Sequence, residues 1–115
     1  MGYRIDFTLG GGVLQAIVSG RSAFADAIAR EIGEQARQSS VQQVLIDIRR
    51  LRDRHGRLRT LLAAKTLPRR VAVIDAWQND RFYIFAEMAA RHLGCDLRRF
   101  EDHETALLWL RTPGR

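Results

Sequence analysis

Two short apolar runs, Val44-Leu45-Ile46-Asp47-Ile48 and Val71-Ala72-Val73-Ile74, constrain this chain more than any other feature. Each is short for a helix and too continuously apolar for a strand with one wet face. Such runs suit central strands of a parallel sheet covered on both sides, and parallel neighbours need long crossovers between them. The segments around the runs supply those crossovers. Ser22 is a good N-cap for a helix reaching about Gln38, with Phe24, Ile28 and Ile32 four apart and Ala25, Ala29 and Ala36 beside them. Arg30, Glu31, Glu34 and Arg37 take its wet side. Leu58, Leu61 and Leu62 mark a second helix, which Pro68 ends. Asp80 caps a third with Phe82, Phe85, Ala86, Ala89 and Leu93 facing inward, and Gly94 stands where a C-cap glycine belongs.

The ends complete the pattern. Tyr3, Ile5, Phe7 and Leu9 alternate with Arg4, Asp6 and Thr8, the period of a half-buried strand. Gly10-Gly11-Gly12 turns it into a second strand, Val13 to Val18, so the chain opens with a hairpin. Leu97 and Phe100 suggest a short last strand, and Asp102 caps a final helix carrying Ala106, Leu107, Trp109 and Leu110. The order β-β-α-β-α-β-α-β-α predicts an α/β domain. Its sheet is mixed, mostly parallel and five-stranded, with four helices and right-handed crossovers. Residues 1–115 read as a single domain whose tail frays from about 112.

Composition bounds the function. A chain of 115 residues, 46% hydrophobic, builds one core. No apolar run reaches membrane-spanning length, so no membrane insertion is expected. Met1-Gly2-Tyr3-Arg4-Ile5-Asp6 lacks the basic and apolar regions of a secretory signal, and the lone Cys95 forbids an internal disulfide. Both predict the cytoplasm. The net charge of +6 and pI near 10.9 suit an acidic partner. Lys65 is the only lysine among 19 basic residues, and an arginine bias also follows from a GC-rich genome. The clustering is local, however: Arg49, Arg50, Arg52, Arg54, Arg57 and Arg59 surround His55. Arginine's planar fork suits carboxylates and phosphates.

In parallel sheets ligands and partners meet the loops at the carboxyl ends of the strands. Those loops are Arg49 to Gly56 and Asp75 to Asn79. Trp77 in the second is either an exposed anchor or a lid over the helix ends. His55 titrates near neutrality but has no identifiable partner. The glycine triplet precedes a strand rather than a helix, which is turn chemistry and not a phosphate cradle. His92 and Cys95 are two ligands where zinc wants four. Asp47, Asp53 and Asp75 would gather near the strand ends, yet the intervening arginines neutralise them, and Asp47 suits hydrogen bonding of the loop. No Gly-x-Ser-x-Gly elbow is present. No catalytic residues, metal or cofactor are assigned.

The element order, with Val44 to Ile48 followed by Asp53-Arg54-His55-Gly56, resembles the STAS superfamily, the fold of bacterial anti-sigma-factor antagonists. Phe85-Ala86-Glu87, Gly94, Phe100-Glu101-Asp102 and Ala106-Leu107-Leu108-Trp109-Leu110 are similar to STAS-like bacterial proteins related in fold to CRAL-TRIO lipid-binding domains. In antagonists the loop reads Asp-Ser-Ser-Gly, and one serine is phosphorylated to switch binding off. Here Arg54 and His55 replace the serines, so neither can take that phosphate and the charge is inverted. The resemblance implies a non-enzymatic regulatory module without the phosphoserine switch. An acidic protein partner would be met by Arg52, Asp53, Arg54, His55, Gly56, Arg57, Asp75 and Trp77. The alternatives are an apolar or lipid ligand within the fold and nucleic acid along Arg49 to Arg59. Exposed apolar residues near Phe82 or Tyr83 leave a homodimer open.

Overall fold

The computed structural model describes residues 2–52, 68–76 and 80–112, without the side chains of Ser22, Asp80 and Phe82. The helix expected around Leu58 to Leu62 lies outside these residues. The hairpin forms as its alternation predicts: β1 (Tyr3–Gly10) pairs antiparallel with β2 (Val13–Arg21) across a two-residue turn. Gly11 and Gly12 both take positive φ there, +59° and +76°, which the tight hairpin turn requires and glycine supplies without strain. Next come α1 (Ala25–Gln38), β3 (Gln43–Arg52), β4 (Arg70–Ile74), α2 (Asp80–His92), β5 (Asp96–Phe100) and α3 (His103–Arg111). The strands lie in chain order, β1-β2-β3-β4-β5, with β2 through β5 parallel. The outcome is an α/β fold with a mixed five-stranded sheet and three helices among the described residues.

Strands that advance steadily in one direction, with right-handed crossovers, place their crossover helices on one face. That face carries the larger core. Leu14, Ala16 and Val18 of β2, Val44, Ile46 and Ile48 of β3, Val71 and Val73 of β4 and Leu97 of β5 are buried with Ile28, Ile32 and Ala36 of α1 and with Tyr83 and Ala90 of α2. Among the described residues, the opposite face carries α3 alone. Val13, Leu45, Ala72 and Ile74 pack with Ala106 and Leu110, flanked by Phe100, Leu107 and Trp109. Trp109 stacks at 5.5 Å on Phe100, and Arg70 lies 4.2 Å above its ring. The same Arg70 guanidinium donates to the carbonyls of Trp109, Leu110 and Thr112, capping the end of α3.

Helix boundaries follow capping chemistry with one shift. The first helix begins not at Ser22 but after a 3-10 turn, Ser22–Phe24, and Phe24 at the N-cap makes no side-chain capping bond. Asp102 caps α3 as expected, its carboxylate accepting from the Thr105 amide at 2.8 Å. At the end of α2 the Cys95 amide reaches back to Ala90 O and that of Gly94 to Arg91 O, the bonding of a Schellman motif. Ser40 plays glycine's part after α1, at φ +56°.

The inward face of α2 differs from the expected one. Tyr83, Ala86 and Ala90 are buried, whereas Phe85 and Leu93 are more than half exposed. Five consecutive apolar residues, 82–86, left the phase of this helix open to either reading. Tyr83 wins because its hydroxyl finds a buried partner.

Candidate functional site

β3 runs four residues past its apolar core, so the basic segment begins as strand and not as loop. Arg49 to Arg52 belong to β3 because β2 also continues, to Arg21, and supplies pairing partners. Within this extension the register slips from Ile17↔Asp47 to Ser19↔Arg50, one extra residue on β3, a β-bulge. The bulge resets the alternation. Ile48 and Leu51 therefore both reach the larger core, and Arg50 and Arg52 both turn to the opposite face.

On that face the pairing makes a transverse row, Arg4 opposite Ser19 and Ser19 beside Arg50, with Arg21 beside Arg52 at the rim. Gly20 sits in the same segment at φ +112°. A Cβ there would lie 2.3 Å from the Gly2 carbonyl oxygen, so only glycine lets the start of the chain close over β2. Arg50 and Arg52 are exposed.

The next position inward is a polar knot. Asp47 is 5% exposed and accepts from Arg49 three times: from the backbone N–H at 3.1 Å, from Nε at 3.0 Å and from Nη2 at 2.8 Å. His103, the first residue of α3, adds a contact from Nε2 to Oδ2 at 3.1 Å. Burial pushes the Asp47 carboxyl up, but these hydrogen bonds and the Arg49 charge outweigh it and hold the group below the usual carboxylate range. The same carboxylate raises the Arg49 guanidinium. Asp47 thereby ties the bulged strand to the start of α3.

Asp75, expected to meet a partner, is instead fully buried. Its carboxylate accepts from the Tyr83 hydroxyl of α2 at 2.5 Å, and its amide donates to Phe100 O at 3.0 Å. It is a positioning residue and not a docking one, because a carboxylate so enclosed holds α2 and β5 against the end of β4. Asp47 contacts the helix on one face of the sheet and Asp75 the helix on the other, so no carboxylate cluster forms between them. Among the described residues no group of three metal-ligating side chains exists. Cys95 is buried, and burial pushes its thiol up to about 11, far from a reactive thiolate.

Of the expected docking residues, Arg52 is exposed at the end of β3, in a strand and not in the expected loop. Asp53, Arg54, His55, Gly56, Arg57 and Trp77 lie outside the described residues. The sequence reading missed Arg4, Ser19 and His103. Strand alternation would have found the first two had β2 been carried to Arg21. An aspartate interrupting an apolar run was the available signal for a partner such as His103.

No protein-family model matches the sequence, and neither does any curated protein. Solved structures do match. An anti-sigma factor antagonist from Mycobacterium paratuberculosis superposes with a TM-score of 0.62 at 17% identity, over 96% of this chain and 95% of that one. The fold is STAS-like. An uncharacterised Shewanella loihica protein with a SpoIIAA-like fold superposes with a TM-score of 0.57 at 21% identity, over 95% and 94% of the two chains. Within this STAS-like fold the bulged end of β3 stands immediately before Asp53-Arg54-His55-Gly56, the residues that carried the resemblance in the sequence. Among the described residues, no helix is long and apolar enough to cross a membrane.

Proposed function

We propose that this protein is a non-enzymatic, cytoplasmic regulatory module of STAS type that docks an acidic protein partner at the carboxyl edge of its parallel strands. The observation that carries the reading is the bulge in β3, which turns exposed Arg50 and Arg52 outward at the head of the arginine-rich segment. Arg54, His55 and Arg57 continue that segment and Trp77 supplies apolar anchorage. Support also comes from the fold, which is that of a protein described as an anti-sigma factor antagonist. With Arg54 and His55 in place of serines, the partner is held by permanent positive charge and no phosphoserine releases it. Asp53 and Gly56 flank those two residues in the sequence, and Asp75 acts from inside by holding α2 in place.

The test is capture from nuclease-treated native extract, comparing the wild-type chain with an Arg54→Glu/Trp77→Ala variant. One acidic protein retained by the wild type and lost by the variant is the expected result. Identical profiles would remove this edge as a docking site. A bound species captured only when the nuclease is omitted, with affinity falling steeply with salt, would replace the reading with nucleic-acid binding.

A further inference from the structure

A cleft of about 350 Å³ opens at the rim of the sheet, lined by Gly2, Tyr3, Arg4, Ser19, Gly20, Arg50 and Arg52. Its origin is the register. Ser19 and the two glycines make a low floor at the rim of the sheet, and the transverse row sets Arg4 and Arg50 on either side of Ser19. Neighbouring strands are roughly 5 Å apart, so the two arginine stems rise about 10 Å apart across the serine. Arg52 stands two residues beyond Arg50 on the same face, roughly 7 Å along the strand. Side chains as long as arginine are able to reach one another over such a floor.

The charge is uneven in a useful way. The Arg4 Nε donates to Asp6 Oδ1 at 3.0 Å, so that charge is offset. Arg50 and Arg52 have no carboxylate partner among the described residues. The cleft therefore holds an excess of about two positive charges, together with a hydroxyl between the walls.

We propose that this cleft is a binding site for a phosphomonoester group. A dianionic phosphate matches the excess charge, and its three terminal oxygens accept from two guanidinium forks and from the Ser19 hydroxyl. A single carboxylate would satisfy one fork and leave the other unpaired. The bulge in β3 is what builds the site: without the extra residue Arg50 would point into the aliphatic core. The inference stands on the cleft and does not require the docking reading above.

The experiment titrates the 15N-labelled chain with inorganic phosphate and with phenyl phosphate, against sodium chloride at matched ionic strength. Saturable shifts of the Ser19, Gly20, Arg50 and Arg52 amides are expected. Arg50→Gln should weaken phosphate binding about tenfold, the effect of losing one charge-assisted contact. Arg54→Glu/Trp77→Ala should leave it unchanged, which separates this site from the docking edge. Exposed Arg50 is not needed for folding, and a wild-type far-ultraviolet spectrum for the variant confirms it. Equal responses to phosphate and chloride, or unchanged phosphate affinity in Arg50→Gln, would overturn the site. Tighter binding of a single-stranded oligonucleotide without terminal phosphate would overturn it in favour of diester recognition. A phosphoserine peptide that binds much tighter than phenyl phosphate supports the site with a phosphorylated protein as its source. Equal binding supports it with a free phosphate ester.

Discussion

The two faces of the sheet are built on opposite principles. Beneath α1 and α2, β2, β3 and β4 present an unbroken aliphatic layer, with Ile46, Ile48, Val71 and Val73 entirely buried. Beneath α3 the buried apolar layer is smaller, and toward β1 it gives way to Asp47, Ser19, Arg4 and Arg50. Among the described residues only the nine-residue α3 covers this face, too little for five strands, so what lies beyond it is either exposed apolar surface or polar. The chain takes the second course. The larger core therefore lies on one face and the surface proposed for recognition on the other.

The largest effects should break the first face. Ile46→Ala empties a fully buried site between the sheet and the crossover helices and should cost about 4 kcal/mol. Leu45→Ala, its neighbour on the opposite face, is equally buried but lies under α3 alone. Its surroundings can collapse further, so a loss nearer about 3 kcal/mol is expected. Urea denaturation of both variants measures the difference, and a larger loss for Leu45→Ala would reverse the assignment of the dominant core.

Next comes the polar knot. Asp47→Asn replaces one of the two oxygens that accept from the Arg49 fork with an NH2 donor and removes the charge, and should cost about 2 kcal/mol. Because the folded carboxyl titrates below its ordinary range, its contribution is complete above the ordinary aspartate pKa of 3.8 and fades as pH falls through the lower folded value. The wild-type urea midpoint should therefore decline on acidification toward pH 2, and less so in Asp47→Asn. Parallel acid limbs for the two chains would show that Asp47 is not the group responsible.

The contrast between faces also explains what could be read from sequence. Val44 to Ile48 and Val71 to Ile74 were legible as buried strands because burial on both sides leaves a continuous apolar signature. The hairpin and the Asp102 cap were legible because turn and cap chemistry is local. The recognition face was not, because its members come from β1, β2, β3 and α3 and meet only through register. Arg49 to Arg52 read as loop because arginines mask a strand whose partner extends three residues further than its apolar portion. Tyr83 was hidden for a related reason: a tyrosine faces inward only if something buried accepts its hydroxyl, and Asp75 does so from another element.

A smaller effect lies on the helical side. Ser40 holds φ +56° after α1, while the Val41 amide bonds to Ala36 O and that of Ser40 to Arg37 O. A side chain in this conformation costs about 1 kcal/mol relative to glycine. Ser40→Gly should recover most of that and raise the melting temperature by a few degrees. An unchanged or lower melting temperature would mean that the serine hydroxyl makes a compensating contact.

The smallest effect sharpens the comparison most. Arg50→Gln touches an exposed side chain with no described partner, so its cost to stability should fall within about 0.5 kcal/mol of zero. The sign should be favourable at low salt, because Arg50 neighbours Arg49 and Arg52 and its removal relieves like-charge repulsion. At molar salt, where charges are screened within about 3 Å, the difference should vanish. A thermal scan at both salt concentrations checks this. A clear loss of stability at either would make Arg50 part of the scaffold, and the division between a stabilising face and a recognising face would fail at the residue meant to define it.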